Sequence, residues 1–223
     1  MSWPILFFAA GLGTRMGELT KDKPKPLVEV AGRALIDHAL GFAETPGIGP
    51  RVVNLHYKGA MIRDHLSQEN VLFSDESEAL LETGGGLRHA LPHLAQSPVI
   101  TMNTDAVWKG PNPIAQVIAA WRDDMECLLL MVPRSQVSGH LGEGDFTIDD
   151  AGRLHRGKGD IYSGVQIIRT ETLADIKESR FSMNIVWDQV AARGGLFGVR
   201  YSGQWCDVGQ PSSIAIAQSM LHV

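Results

Sequence analysis

Cys127-Leu128-Leu129-Leu130-Met131-Val132 is an unbroken apolar run, far too short to span a membrane. A strand with one wet face alternates polar and apolar side chains, whereas a continuous run marks burial on both faces. Short strand-like runs recur at Ile5–Ala9, Arg51–Leu55, Val71–Ser74 and Pro98–Met102. Helical patterns lie between them, at Leu35–Glu44, Met61–Leu66, Gly86–Leu94 and Ile114–Trp121. Alternation at this spacing predicts βαβ units and a mostly parallel sheet.

The pattern changes after residue 133. Asp145–Leu154 reads as a hairpin around Asp149-Asp150-Ala151-Gly152. Strands follow at Tyr162–Arg169 and Leu196–Tyr201, and helices at Ile185–Arg193 and Ser212–Leu221. The expected fold is α/β: a three-layer α/β/α, Rossmann-like core around a mixed, mostly parallel sheet, with a small β-rich substrate lid. With no linker, repeat or low-complexity block, residues 1–223 are read as one domain.

The N-terminal strand runs into Ala10-Gly11-Leu12-Gly13-Thr14-Arg15, and Lys25 follows between Pro24 and Pro26. Glycines let backbone N–H groups approach phosphate oxygens, and two fixed cations would neutralise their charge. A dinucleotide fingerprint needs a third glycine three residues after Gly13, but Met16 stands there. A Walker loop needs Gly-Lys-Ser/Thr, which is absent. The bland alternative is an ordinary glycine turn; Arg15 and Lys25 favour a triphosphate site. Lys25 is read as a loop cation facing the surface.

Three further segments carry chemistry. Glu82-Thr83-Gly84-Gly85-Gly86 is either a simple loop before a helix or a wall without side chains against which a base could lie, with Glu82 as acceptor. Asn103-Thr104-Asp105 closes an apolar strand, where open α/β sheets bind ligands; its alternative is an Asx turn. Asp207 ends another strand-like stretch; alone it reads as a loop carboxylate, but beside Asp105 and the cationic glycine loop it reads as a second Mg²⁺ ligand, since Mg²⁺ takes one or two carboxylates plus phosphates. His140–Asp145 is a glycine-rich loop that could cap a substrate, although most such loops are only loops. His38, His65 and His89 fall in helical patterns and read as helix-face residues.

Composition narrows the partners. A net charge of −5 leaves no basic excess, so nucleic acid is not expected. Cys127 and Cys206 have no zinc spacing. No basic leader precedes the strand-like sequence at Trp3, and the cytoplasm is the expected compartment.

Together, Ala9–Met16, Lys23–Val28, Ala31-Gly32, Leu35-Ile36, Asn103-Thr104-Asp105 and Asp207-Val208-Gly209 resemble the sugar-1-phosphate nucleotidyltransferases. Leu81–Gly86 and Gly144-Asp145-Phe146 look most like the N-acetylmuramate-1-phosphate uridylyltransferase branch of peptidoglycan recycling. The resemblance implies Mg²⁺-dependent transfer from UTP to a sugar-1-phosphate, by a monomer or small homo-oligomer. It implies that Ala10, Gly11, Leu12, Gly13 and Thr14 cradle the nucleotide, and that Arg15 and Lys25 hold the triphosphate as catalytic cations. Glu82, Thr83 and Gly85 would lie near the base, Asn103 and Asp145 near the sugar phosphate, and Asp105 and Asp207 on the metal. The chain departs from the family at Gly17-Glu18, where Arg-Pro is frequent, and at Thr104, where many relatives have glycine. Competing readings are mannose-1-phosphate guanylyl transfer, glucose-1-phosphate uridylyl or thymidylyl transfer, a nucleotide sensor on the same fold, and a nicotinamide oxidoreductase.

Overall fold

The computed structural model describes residues 2–222. β1 (Trp3–Phe8) sends Ile5 and Phe7 into one core and Leu6 into another, and all three are fully buried. Neither face meets water, which is why its sequence does not alternate. A glycine turn and a 3-10 segment (Thr14–Thr20) lead to the short strands β2 (Glu29–Val30) and β3 (Arg33–Ala34). Next come α1 (Leu35–Gly41), β4 (Ile48–Leu55), α2 (Gly59–His65), β5 (Leu72–Asp75) and α3 (Glu82–Leu94). They are followed by β6 (Val99–Asn103), β7 (Ala106–Lys109), α4 (Pro113–Ala120), β8 (Cys127–Val132) and β9 (Val137–Ser138). The rest comprises β10 (Phe146–Ile148), β11 (Leu154–Arg156), β12 (Ile161–Ile168), α5 (Met183–Ala192), β13 (Leu196–Arg200), β14 (Gln204–Asp207) and α6 (Ser212–His222).

The central sheet has seven strands in the order β13-β8-β12-β6-β1-β4-β5. Only β12 runs antiparallel to its neighbours, as a mixed, mostly parallel sheet requires. Ile36, Ile62 and Ile114 bring α1, α2 and α4 onto one face, while Leu87 and Val186 bring α3 and α5 onto the other. These are the three layers expected of the α/β alternation. A third, smaller core joins Met16, Val30, Leu35, Val107, Val208 and Ala217 beneath α6.

The β-rich insertion is partly as expected. β10 and β11 form the hairpin, but Phe146 and Leu154 belong to the α5 core, so its strands are packed into the body of the protein. Of the sheet β7-β14-β9, the sequence reading anticipates only β14, as the strand-like stretch that Asp207 ends; β7 and β9 have no counterpart there. Those two strands are four and two residues long, too short to leave a periodic signal. α3 starts at Glu82, not Gly86, because Gly84 and Gly85 both donate their N–H groups to Phe181 O, at 3.0 and 3.1 Å. A tertiary partner here overrides the poor helix propensity of glycine.

The topology places a crevice. β4 and β5 extend the sheet on one side of β1, and α3 returns the chain to β6 on the other side. The C-terminal ends of β1 and β6 therefore flank a switch point, where such sheets bind ligands. β12 is irregular as it passes this edge, with a register shift against β8 between Tyr162 and Gln166. Gly164 lies in that stretch at φ +87°, and a Cβ on it would come within 2.8 Å of the Asn103 Cβ. Gly164→Ala is expected to lower stability by about 1–3 kcal/mol through backbone strain. The check is a urea midpoint that falls at unchanged m-value; an unmoved midpoint would contradict the packing.

Candidate active site

The backbone after β1 hangs from a buried strut. The N–H groups of Ala9 and Ala10 donate to Asn54 Oδ1 at 2.7 and 3.3 Å. Asn54 Nδ2 donates to Glu76 Oε1 at 2.7 Å, and the Leu81 N–H donates to Glu76 Oε2 at 3.2 Å. Asn54 and Glu76 are each 3% exposed. Burial pushes the Glu76 carboxyl above its usual range, and the bonds from Asn54 and Leu81 partly offset the shift. Gly86 makes room for this carboxylate, since a Cβ there would lie 2.7 Å from Glu76 Oε1.

The turn itself is bound tightly from below. Met16 N–H and Thr20 Oγ1 both donate to Gly13 O, at 2.9 and 3.0 Å. A Cβ on Gly13 would sit 2.9 Å from the Lys25 Cβ. Gly17 interrupts the 3-10 segment at φ 56°, ψ −128°, a conformation essentially reserved for glycine. That kink accounts for a glycine at position 17.

Two carboxylates and two cations meet at the open end of this turn. Lys25 Nζ donates to Asp105 Oδ2 at 2.9 Å. Lys25 is only 9% exposed, which corrects the reading of a surface-facing loop cation. Asp105 is positioned by its neighbour: Thr104 Oγ1 donates to Phe8 O at 2.8 Å and ties the loop after β6 to the end of β1. Thr104 thus gains a structural duty that glycine could not fulfil. The Val208 N–H donates to Asp105 O at 2.9 Å, which draws the end of β14 alongside. There Asp207 feels burial first and the Asp105 charge second, and both raise its carboxyl; His140 and Lys25 act in the other direction. His140 Nδ1 lies 3.2 Å from Asp207 Oδ2. A Cβ placed on Gly209 would meet Asp207 Oδ1 at 3.0 Å and an Arg15 guanidinium nitrogen at 3.3 Å, so Arg15 closes the same cluster.

Two cavities meet at this cluster, and a third adjoins the first. One of about 390 Å³ is lined by Ala9, Ala10, Asn54, Glu76, Glu82 and Thr83. Another, about 330 Å³, follows Gly11, Leu12, Gly13, Thr14 and Arg15 to Gly209. Lys25 and Asp105 line both. The last, about 320 Å³, shares Thr83 and Asn103 with the first and reaches Asp145, Arg156, Tyr162 and Trp187. Asp145 Oδ2 accepts the Tyr162 N–H at 2.8 Å, which braces the hairpin against β12.

The triple glycine does not form a wall. Gly85 is buried, its N–H is bound to Phe181 O, and a Cβ would strike Ser179 O at 2.5 Å. Gly84–Gly86 instead let α3 pack tightly beneath Ser179–Phe181 and against Glu76. Glu82 reaches the first cavity, yet its carboxylate accepts a hydrogen bond from Arg180 Nε at 3.1 Å. Thr83 Oγ1 accepts the Met183 N–H at 3.0 Å and joins the starts of α3 and α5.

Several residues escape the sequence reading. Asn54 leaves a faint signal, as a polar residue inside an apolar strand. Glu76 leaves none, because its burial depends on Asn54 and Leu81. Trp187 looks like a core aromatic at helical spacing, and Arg156 like a solvated hairpin charge. His38, His65 and His89 bond to Val30 O, Asp37 and Asp75 O, away from the cavities, as their helical placement suggested.

Residues 5–159 match the family described as MobA-like NTP transferase domain. The chain belongs to that family. It is an enzyme of nucleotidyl transfer. A Caulobacter vibrioides protein named N-acetylmuramate alpha-1-phosphate uridylyltransferase is 36% identical, with 97% of this chain and 96% of that one covered. A Neisseria meningitidis serogroup B protein of the same name is 30% identical, with 96% of each covered. Among solved structures, HddC from Yersinia pseudotuberculosis complexed with GMP-PN superposes with a TM-score of 0.80 at 23% identity, covering 98% of this chain and 99% of that one. That likeness is one of fold. This NTP transferase therefore places its glycine turn and ion pair at the switch point of its sheet.

The raised Glu76 carboxyl has a sign that can be measured. Its neutral form is favoured in the folded state, so its contribution to stability is greatest below the ordinary glutamate value of 4.5 and declines as pH rises through the higher folded value. Glu76→Gln removes that slope. Urea midpoints compared from about pH 4 upward should show the wild type losing ground to the variant; parallel curves would contradict the burial argument.

Proposed function

We propose that this enzyme transfers a uridylyl group from UTP to N-acetylmuramate α-1-phosphate and releases pyrophosphate. The observation that carries the chemistry is the Lys25–Asp105 ion pair at the seam of two cavities, with Arg15 and Asp207 beside it. Two full-length relatives of that printed name, at 36% and 30% identity, support the sugar and the base.

The donor set suits Mg²⁺. Asp105 and Asp207 offer hard oxygens, and among the described residues no group of three or more His, Cys, Asp or Glu side chains could hold a metal. A cation at these two carboxylates would take its other ligands from phosphate, as Mg²⁺ does. Bound there, it would draw charge from the phosphate oxygens.

In the reaction, an oxygen of the sugar phosphate attacks the α-phosphorus in line. The new P–O bond forms as the bond to the β-phosphate bridging oxygen breaks, and pyrophosphate leaves with that electron pair. The nucleophile is already an anion, so no general base is needed. Lys25 and Arg15 offset the charge that builds on the leaving group, and the Ala10–Thr14 backbone orients the triphosphate. Asn103 and Thr83, shared by two cavities, stand where nucleotide and sugar phosphate would meet. In this reading the enzyme acts in the cytoplasm, where cell-wall sugars are reclaimed; among the described residues no helix is long and apolar enough to cross a membrane.

Pyrophosphate release measured over a panel of nucleotides and sugar-1-phosphates tests the assignment. UTP with N-acetylmuramate α-1-phosphate should give the highest kcat/KM; a preference for GTP with mannose-1-phosphate would replace it. Lys25→Ala should lower turnover roughly 10²–10³-fold. It should also cost about 1–3 kcal/mol of stability by leaving Asp105 unpaired. Full turnover in that variant would refute the role. Asp105→Asn should shift the Mg²⁺ titration of activity to much higher concentration, and an unchanged titration would exclude Asp105 as a ligand.

A further inference from the structure

The third cavity holds a cation that transfer chemistry does not explain. Among the described residues that line it, Arg156 is the one basic side chain, and Asp145 is the acidic one. Arg156 lies over two rings: its guanidinium carbon is 4.5 Å from the Phe146 ring centroid and 5.7 Å from that of Trp187. Trp187 cannot swing freely, because its Nε1 donates to Gln166 Oε1 at 2.8 Å and Gln166 Nε2 donates to Thr101 Oγ1 at 3.1 Å. Tyr162 packs edge-on against the same ring at 4.8 Å. A buried polar chain therefore fixes the platform on which the arginine rests.

Present partners leave the guanidinium exchangeable. Its Nε donates to Asp188 Oδ1 and its Nη2 to Asn184 Oδ1, each at 2.9 Å. Asp188 is largely exposed, and an exposed pair of this kind is worth little. Asp145 offers less competition, since one of its oxygens is taken by the Tyr162 N–H. Hydroxyls of a neutral sugar need no planar fork of donors; a carboxylate matches one.

We propose that Arg156 is a specificity-determining residue that binds a carboxylate on the sugar, and so selects acidic sugar-1-phosphates over neutral ones. The inference rests on the function proposed above: N-acetylmuramate differs from N-acetylglucosamine by a lactyl ether that ends in a carboxylate. Binding exchanges Asp188 for the substrate carboxylate, with no covalent step.

The test is the ratio of kcat/KM for N-acetylmuramate α-1-phosphate to that for N-acetylglucosamine α-1-phosphate, with UTP. In the wild type the ratio should exceed one. In Arg156→Gln it should fall roughly tenfold to a hundredfold, the range expected for a lost charged hydrogen bond. In Asp188→Asn, where the resident competitor is gone, KM for the muramyl substrate should drop. Equal losses with both sugars in Arg156→Gln would overturn the proposal, because they would mean that Arg156 holds the shared 1-phosphate or the hairpin. A wild-type preference for the muramyl substrate that survives in Arg156→Gln would overturn Arg156 as the reader and leave the proposed function standing. A wild-type preference for the neutral sugar would overturn both.

Discussion

Lys25 and Asp105 are 80 residues apart, and their ion pair binds the N-terminal turn to the strand that closes the crevice. Each partner arrives on a constrained segment. Pro24 is extended at φ −71°, ψ 152°, and Pro26 follows Lys25 within one 3-10 turn. Asp105 follows Thr104, which is bonded to the end of β1. The lysine is nearly buried, so its charge needs a partner at this depth. In the proposed reaction an incoming triphosphate would offer Lys25 a second anionic partner, which would leave Asp105 available to hold a cation. One contact thus serves stability in the resting protein and geometry in the working one.

Behind that pair stands a less visible support. Asn54 on β4 accepts from the Ala9 and Ala10 amides, and Glu76, in the segment after β5, holds Asn54 in turn; both strands lie on the outer side of β1. A buried carboxylate is costly, and a neutral group could fill the space. Only an acceptor-rich group, however, can take both the Asn54 amide and the Leu81 N–H at once. Its effect is to set the height of two backbone groups lining the first cavity. The outer edge of the sheet thereby shapes the turn over its centre.

Much of the fold is legible in the sequence. The β8 boundaries were correct as read, because six consecutive apolar residues have no alternative but burial on both faces. The glycine turn, Lys25, Asp105 and Asp207 each have an ordinary structural reading alone; it was their combination that stood out in the sequence, and the fold brings them into one cluster. The triple glycine misled for a physical reason. Missing side chains signal close approach, but not what approaches; here it is Ser179–Phe181 and Glu76 rather than a base. Asn54, Glu76, Arg156 and Trp187 stayed hidden, since each has a hydrogen-bond partner more than 20 positions away: Ala9, Asn54, Asp188 and Gln166 respectively.

By itself the sequence determined the layered α/β architecture and the two acidic and two basic side chains of the cluster, because burial periodicity and turn chemistry are local properties. Tertiary structure alone decided that Asp207 stands beside Asp105, that Lys25 is buried rather than exposed, and that Arg156 sits over the Phe146 and Trp187 rings. Those outcomes depend on strand order and on long-range hydrogen bonds. Such interactions form only when distant segments are brought together, so no window of neighbouring residues encodes them.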